Sequence, residues 1–312
     1  MRLGIFIVSL LALGLACSTA GESDSPPAPE IVSQQEDEPL TFEGLIYGPE
    51  SEDGIQAIFA TPDLGVGKHR VAFAMQSQTG LVDSPSATVQ SFFEPDTEEL
   101  GEPVQTSFAL FRPFPLVERG LYSTHLTFDR AGAWAIQATV LGDDASPKRA
   151  RLYFEVPEAS EAPSLGDAAI KSVNRTEGDV ESLAELTTGS MRDPDLYQVT
   201  IADAVESGKP TVIVMASPAF CTNAVCGPQV EVLRDLKNEF PDSANFIHID
   251  LYDNPDEIQG DLGRAVISPV VREWNLPSTE WSFVVDSEGK IASRFEGFCT
   301  LEELREALES VL

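Results

Sequence analysis

The hydrophobic period of this 312-residue chain changes once, and that change limits what it can fold into. From Thr41 to Val156 the chain runs in short segments rich in β-branched and aromatic residues: TFEGLIY, IQAIFAT, HRVAFAMQ, ATVQSFFE, VQTSFALFR, LYSTHLTF, AWAIQATVL and RARLYFEV. Gly, Pro and Asp turns separate them. A period of two sends alternate side chains to opposite faces of a strand, so about eight such runs with close turns predict an all-β antiparallel sandwich over residues 41–157. Residues 158–196 are acidic and turn-rich with little periodicity, and they read as a linker that partly wraps the next domain.

From 197 to 312 strands and helices alternate. VTIADAVESGKP has the composition of a short helix closed by Gly208, and TVIVMAS is a continuous apolar strand of the kind buried on both faces. PQVEVLRDLKNEF puts Val230, Leu233, Leu236 and Phe240 on one helical face, with Pro228 in the first turn. NFIHIDLY is a second strand, SPVVREW a helix, and WSFVVD with KIASRFEGF a hairpin across SEG. TLEELREALESVL opens on a T-x-x-E capping box at Thr300 and Glu303. The whole chain is therefore expected to hold two domains, an all-β sandwich followed by an α/β domain at 197–312.

The formal net charge of −31 excludes binding to nucleic acid or to an anionic membrane through a general positive field. Residues 1–20, MRLGIFIVSLLALGLACSTA, carry one Arg and then an apolar stretch from Leu3 to Leu15, which is too short to span a bilayer as a permanent helix and reads as an export signal. LGLAC resembles a bacterial lipoprotein signal, and the resemblance implies lipidation of Cys17 and a membrane-anchored protein on the extracytoplasmic side. The alternative is cleavage after Ala20 and release of a soluble protein. Residues 21–40 have few large apolar groups and read as a disordered tether. Either route leads out of the cytoplasm, where disulfides persist. The stretch GLYSTHLTFDRAGAW further resembles a hairpin of the immunoglobulin-like sandwiches of exported bacterial proteins.

The chemistry is expected at Cys221 and Cys226, spaced C-x-x-x-x-C between the TVIVMAS strand and the next helix. A loop leaving a buried strand brings them to a helix start, where unpaired N–H groups and the helix dipole stabilise a thiolate. Five residues of loop also let two sulfurs approach bonding distance. VIVMASPAFC, CGP at 226–228, FIHIDLYDNP, VVDSEGKI and the closing EGF-CT-LEELREAL together resemble a thioredoxin-like domain of the exported, membrane-tethered thiol–disulfide type. The resemblance implies exchange with protein thiols and disulfides of the cell envelope, with no cofactor and no metal. In chain order Cys221 matches the attacking thiol, whereas in the CGP register Cys226 does. Thioredoxins place a cis-proline just before the third core strand; here Glu280 stands in that register and Pro277 three residues earlier. Cys299, just after the last strand, is a candidate third thiol near the pair, or else a small buried residue before a helix cap.

Several alternatives can be weighed on the same residues. An atypical peroxiredoxin shares the C-x-x-x-x-C spacing, but Pro218 stands at its Thr place, Val214 at its Pro place and Glu280 at its Arg place, leaving only Arg272 or Arg294 as substitutes. A zinc clip needs about four ligands, and beside the cysteine pair the domain offers only His248 and the distant Cys299. His69, His125 and Met75 are the nearest approach to a copper set in the β half. Two readings of the cysteine pair stay open: thiol–disulfide exchange, and a permanent disulfide in a non-catalytic envelope binding protein.

Overall fold

Every period-two run with described residues becomes a strand. A computed structural model describes residues 46–96, 99–115, 119–142, 145–220 and 226–312, so Cys17, the export signal and the tether lie outside the described residues. The strands are β1 (Ile46–Tyr47), β2 (Ile55–Phe59), β3 (Gly67–Ser77), β4 (Gly80–Leu81), β5 (Ser86–Phe93), β6 (Gln105–Pro113), β7 (Gly120–Phe128), β8 (Gly132–Leu141) and β9 (Pro147–Val156). They do not form two facing sheets. All belong to one antiparallel sheet in the order β1-β2-β3-β7-β6-β5-β8-β9, with β4 paired to β3, and the sheet curls until β2 packs against β9. Sequence alternation fixes which face a side chain occupies but not which strand lies next to it, and pairing around one curled sheet satisfies backbone groups that two sheets would leave on edges.

The inside of the curl is an apolar core. Val71, Phe73 and Met75 of β3 enter it with Phe59, Leu126, Phe128 and Trp134. Phe128 meets Trp134 edge to face at a 5.1 Å centroid separation. Met75 is thus sealed inside while His125 is exposed on the outer face, so His69, His125 and Met75 are not brought together as a metal set. Among the described residues there is no group of three or more His, Cys, Asp or Glu placed to hold a metal ion.

The second half has the expected order. It comprises α1 (Ile201–Glu206), β10 (Thr211–Ala216), α2 (Cys226–Glu239), β11 (Asn245–Ile249), α3 (Pro255–Ile258), α4 (Pro269–Glu273), β12 (Glu280–Val285), β13 (Ile291–Glu296) and α5 (Leu301–Glu309). The sheet order is β11-β10-β12-β13, with β10 parallel to β11 and the other pairs antiparallel. A parallel β-α-β unit joined to a β-hairpin and a closing helix is the thioredoxin-like topology. β10 is buried along its whole length because helices cover both faces: Val212, Val214 and Ala216 pack with α2 and α5, and Ile213 and Met215 with α1 and α4. Thr300 and Glu303 form the capping box of α5.

The two halves meet through buried charge. From Leu40 onward the chain is one compact unit. Arg70, on the outer face of β3, donates from Nε to Glu303 Oε1 at 2.9 Å and from Nη2 to the Phe298 carbonyl at 2.8 Å, with a longer bond from Nη1 to the Glu296 carbonyl at 3.3 Å. Its neighbour Ala72 and Leu121 of β7 join the core of the second half, and Phe114 meets Phe298 edge to face. Arg294 of β13 pairs with Asp63 at 2.6 Å. Gly297 approaches the Ala60 carbonyl with φ +67, a conformation that disfavours any side chain, and an added Cβ would stand 3.3 Å from that oxygen.

Burial would raise the Glu303 carboxyl, but the Arg70 guanidinium outweighs it and holds the group at about 2. Glu296 goes the other way. Burial, aided by the nearby Asp63 charge, pushes its carboxyl up to about 8, although Ser278 donates to Oε1 at 2.7 Å and the Asp63 N–H to Oε2 at 2.9 Å.

Two outcomes are expected for stability. Arg70→Ala strands a buried carboxylate and should cost about 3–5 kcal/mol by urea denaturation. Arg112→Ala breaks the half-exposed pair with Glu302 and a long bond to the Ser123 hydroxyl, and should cost about 0–1 kcal/mol. Glu296 binds its proton more tightly in the folded chain than at its ordinary value of 4.5, so its contribution is full below that value and is lost as pH rises through about 8. The urea midpoint of the wild type should therefore fall between about pH 4.5 and 8 and level off above that, and Glu296→Gln should flatten that fall.

Candidate functional site

The site is built where β10 ends. Ser217 to Phe220 leave the strand, residues 221–225 lie outside the described residues, and Cys226 opens α2. Cys221 is therefore not placed. Cys226 is fully buried and is one half of a disulfide whose other half lies outside the described residues. Its Sγ sits 3.8 Å from the Thr279 carbonyl oxygen. As a half-cystine it has no proton to donate, so this is a packing contact; on reduction the same carbonyl becomes an acceptor for the thiol.

The residues that precede β12 occupy the place beside the sulfur. Glu280 is buried and pairs in register with Ala216 at the end of β10, and Pro277 lies three residues back, half-buried. No described peptide bond is cis, so Pro277 is a trans proline. Ser278, on this same segment, is the residue that donates to Glu296, which ties the wall of the site to the seam between the halves.

Cys299 is close to the start of α2 but turned inward. It is fully buried, and burial pushes its thiol up to about 12, so it is protonated at physiological pH. Gln229, one turn after Cys226, holds it twice: Nε2 donates to the Cys299 Sγ at 3.3 Å, and Oε1 accepts from the Cys299 N–H at 2.9 Å. The residue after CGP, where a C-x-x-C pair has its second cysteine, is thus committed to the interior. Arg294 is committed as well. It lies over the Trp281 ring and donates to Asp63, Ser160 and the Ala162 carbonyl, while Arg272 is exposed on α4.

The linker contributes groups that reasoning from sequence missed. Thr188 donates from its N–H and from its hydroxyl to Asp250 Oδ2, each at 2.8 Å. The Thr188 oxygen accepts from the Ala219 N–H at 3.2 Å and lies 3.0 Å from the Ser217 hydroxyl, which also hydrogen-bonds Asp250. Asp250 is buried, which pushes it up to about 6 against the donors that surround it. Beside it, His248 faces the Ala216 carbonyl through Nε2 at 2.9 Å, so Nε2 carries the proton and Nδ1 accepts the Tyr197 hydroxyl at 2.7 Å. Burial lowers His248 to about 4 and keeps it neutral. None of this had a sequence signal beyond the polar residue ending FIHID, because the linker has no periodicity.

A cavity of about 250 Å³ opens between the linker and α2, lined by Gly189, Met191, Pro218, Ala219, Gly227 and Val230 among others. It borders the residue next to Cys226. Chemically, the arrangement offers a disulfide at a helix start, a concave surface beside it, and a hydrogen-bonded support behind its loop.

No family model matches the chain, and no curated protein does. Among solved structures, the chain is similar to a thiol:disulfide interchange protein of the thioredoxin family from Chlorobium tepidum TLS, at 11% identity and a TM-score of 0.30, over 49% of this chain and 97% of that one. It is also similar to the structure described as Trgpx in apo form, at 13% identity and a TM-score of 0.25, over 40% of this chain and 95% of that one. Overlays this loose carry no weight of their own, and the thioredoxin-like fold rests on strand order and direction.

Proposed function

We propose that the chain is an extracytoplasmic thiol–disulfide oxidoreductase that acts on protein partners of the cell envelope through Cys221 and Cys226. The observation that carries this reading is the position of Cys226: a half-cystine in the first turn of a 14-residue helix, directly after the buried central strand of a thioredoxin-like sheet. A sulfur placed there has its thiolate favoured by the helix start and a leaving group built in. In the reducing direction, one thiolate attacks a partner disulfide, forms a mixed disulfide and releases one partner thiolate. The second cysteine then attacks the mixed disulfide, closes the internal disulfide and releases the other partner thiolate, so two electrons pass to the partner. The oxidising direction is the reverse. Export and anchoring through Cys17 belong to the same proposal and rest on the LGLAC signal.

One observation favours the competing reading of a structural staple in a binding protein. Cys226 has no exposed surface, and the group beside its sulfur is the Thr279 carbonyl, with no cis proline among the described residues. The reduction potential decides between them. Exchange predicts a potential in the range of catalytic dithiols, above about −300 mV, with reduction of a model disulfide; a lower value without turnover supports the staple. In cells, either Cys226→Ser or Cys221→Ser should accumulate a mixed disulfide with an envelope protein, and the variant that does so names the nucleophile as the cysteine left in place. If neither variant traps a partner, the exchange reading falls.

A further inference from the structure

We propose that Thr188, in the linker, is a positioning residue for Cys226: its hydroxyl holds the chain where it leaves β10, at Ser217 and Ala219. The inference rests on the exchange reading above only for its consequence in turnover; the geometry stands apart from it.

One oxygen joins three separated pieces of chain. Thr188 belongs to the linker, Ser217 and Ala219 to the loop after β10, and Asp250 to the end of β11. Asp250 accepts from the Thr188 N–H and hydroxyl and is also hydrogen-bonded by the Ser217 hydroxyl, while the Ala219 N–H donates to the Thr188 oxygen, so linker and loop share one carboxylate. The Ala219 N–H has no strand partner once β10 has ended, so without Thr188 the loop has one donor to satisfy elsewhere. Packing runs the same way. A Cβ at Gly189 would stand 3.3 Å from the Pro218 ring, and the Pro218 carbonyl is the nearest atom to a Cβ at Gly227, the residue after Cys226. Pro218 therefore lies between the linker at Gly189 and α2 at Gly227, the residue after Cys226, and a shift of the loop at Ala219 moves the chain beside that residue.

The support is also charged in a way a buried apolar prop would not be. The Asp250 carboxyl also accepts the Tyr252 N–H, and Tyr197, His248 and Arg175 line the same small cavity on its far side. A positioning role predicts an effect on the disulfide itself, whereas a packing role predicts an effect on folding alone.

The test uses the full chain without its export signal, as wild type, Thr188→Val, Thr188→Ser and Ser217→Ala, with redox midpoint and exchange with a model disulfide measured on each. Thr188→Val keeps the volume and removes the hydroxyl. It should change the dithiol–disulfide equilibrium constant about tenfold, which is about 30 mV for this two-electron couple, and slow exchange by a similar factor. Thr188→Ser should restore both, and Ser217→Ala should move the midpoint in the same direction by less. A midpoint for Thr188→Val equal to the wild type, or one that Thr188→Ser fails to restore, overturns the inference. Absence of turnover in the wild type, with a midpoint that still shifts in Thr188→Val and returns in Thr188→Ser, overturns the exchange reading and leaves the positioning role standing. Should Thr188→Val fail to fold, Ser217→Ala alone decides by whether its midpoint moves.

Discussion

The guanidinium of Arg70 is the constraint on which the rest of the structure depends. It is buried at the seam of the two halves, pairs with Glu303, and donates to two backbone carbonyls at the end of β13. A buried charge of this kind is weak evidence for net stability, since desolvating both ions offsets most of their attraction. What it does fix is geometry. The observed placement of the curled sheet satisfies the carboxylate, the carbonyls and the cap of α5 together. The segment from Glu296 to Thr300, which holds Cys299 and Gly297, is ordered by that placement, and Cys299 in turn orders Gln229 in the first turn of α2. The half of the chain without cysteines thus reaches the sulfur chemistry through backbone and side-chain bonds.

Much of this architecture was legible in the sequence, to different depths. Period-two alternation located the strands of the first half. It was silent on pairing, because β3 lies beside β7 and β5 beside β8 through contacts that no local pattern encodes. The continuous TVIVMAS run announced a strand covered on both sides, and the T-x-x-E at 300–303 announced the start of α5. Arg70 could not be read in advance: a charged residue at an outward strand position has an ordinary solvent-facing meaning, and its partner is 233 residues away.

The site divides along the same line. The position of Cys226 ahead of a helix was expected from CGP after an apolar strand, and α2 already includes the cysteine rather than starting at Pro228. Thr188 and Asp250 were not singled out, because their roles depend on tertiary neighbours. The linker illustrates this best. Its lack of periodicity correctly signalled the absence of long regular elements, yet short turns such as Leu183–Glu185, capped by Ser182, fold it onto the second half and bring Thr188 to the loop. Absence of a pattern marked irregular backbone and did not mark an idle one.

Glu296 gives the seam a property that neither half has separately. Its two oxygens are held from opposite sides, one by the backbone of the curled sheet at Asp63 and one by Ser278 on the segment that touches the sulfur of Cys226. Burial displaces the ionisation of this carboxyl toward neutral pH. Gain or loss of that single proton alters the hold on both neighbours in one step, one in each half of the fold.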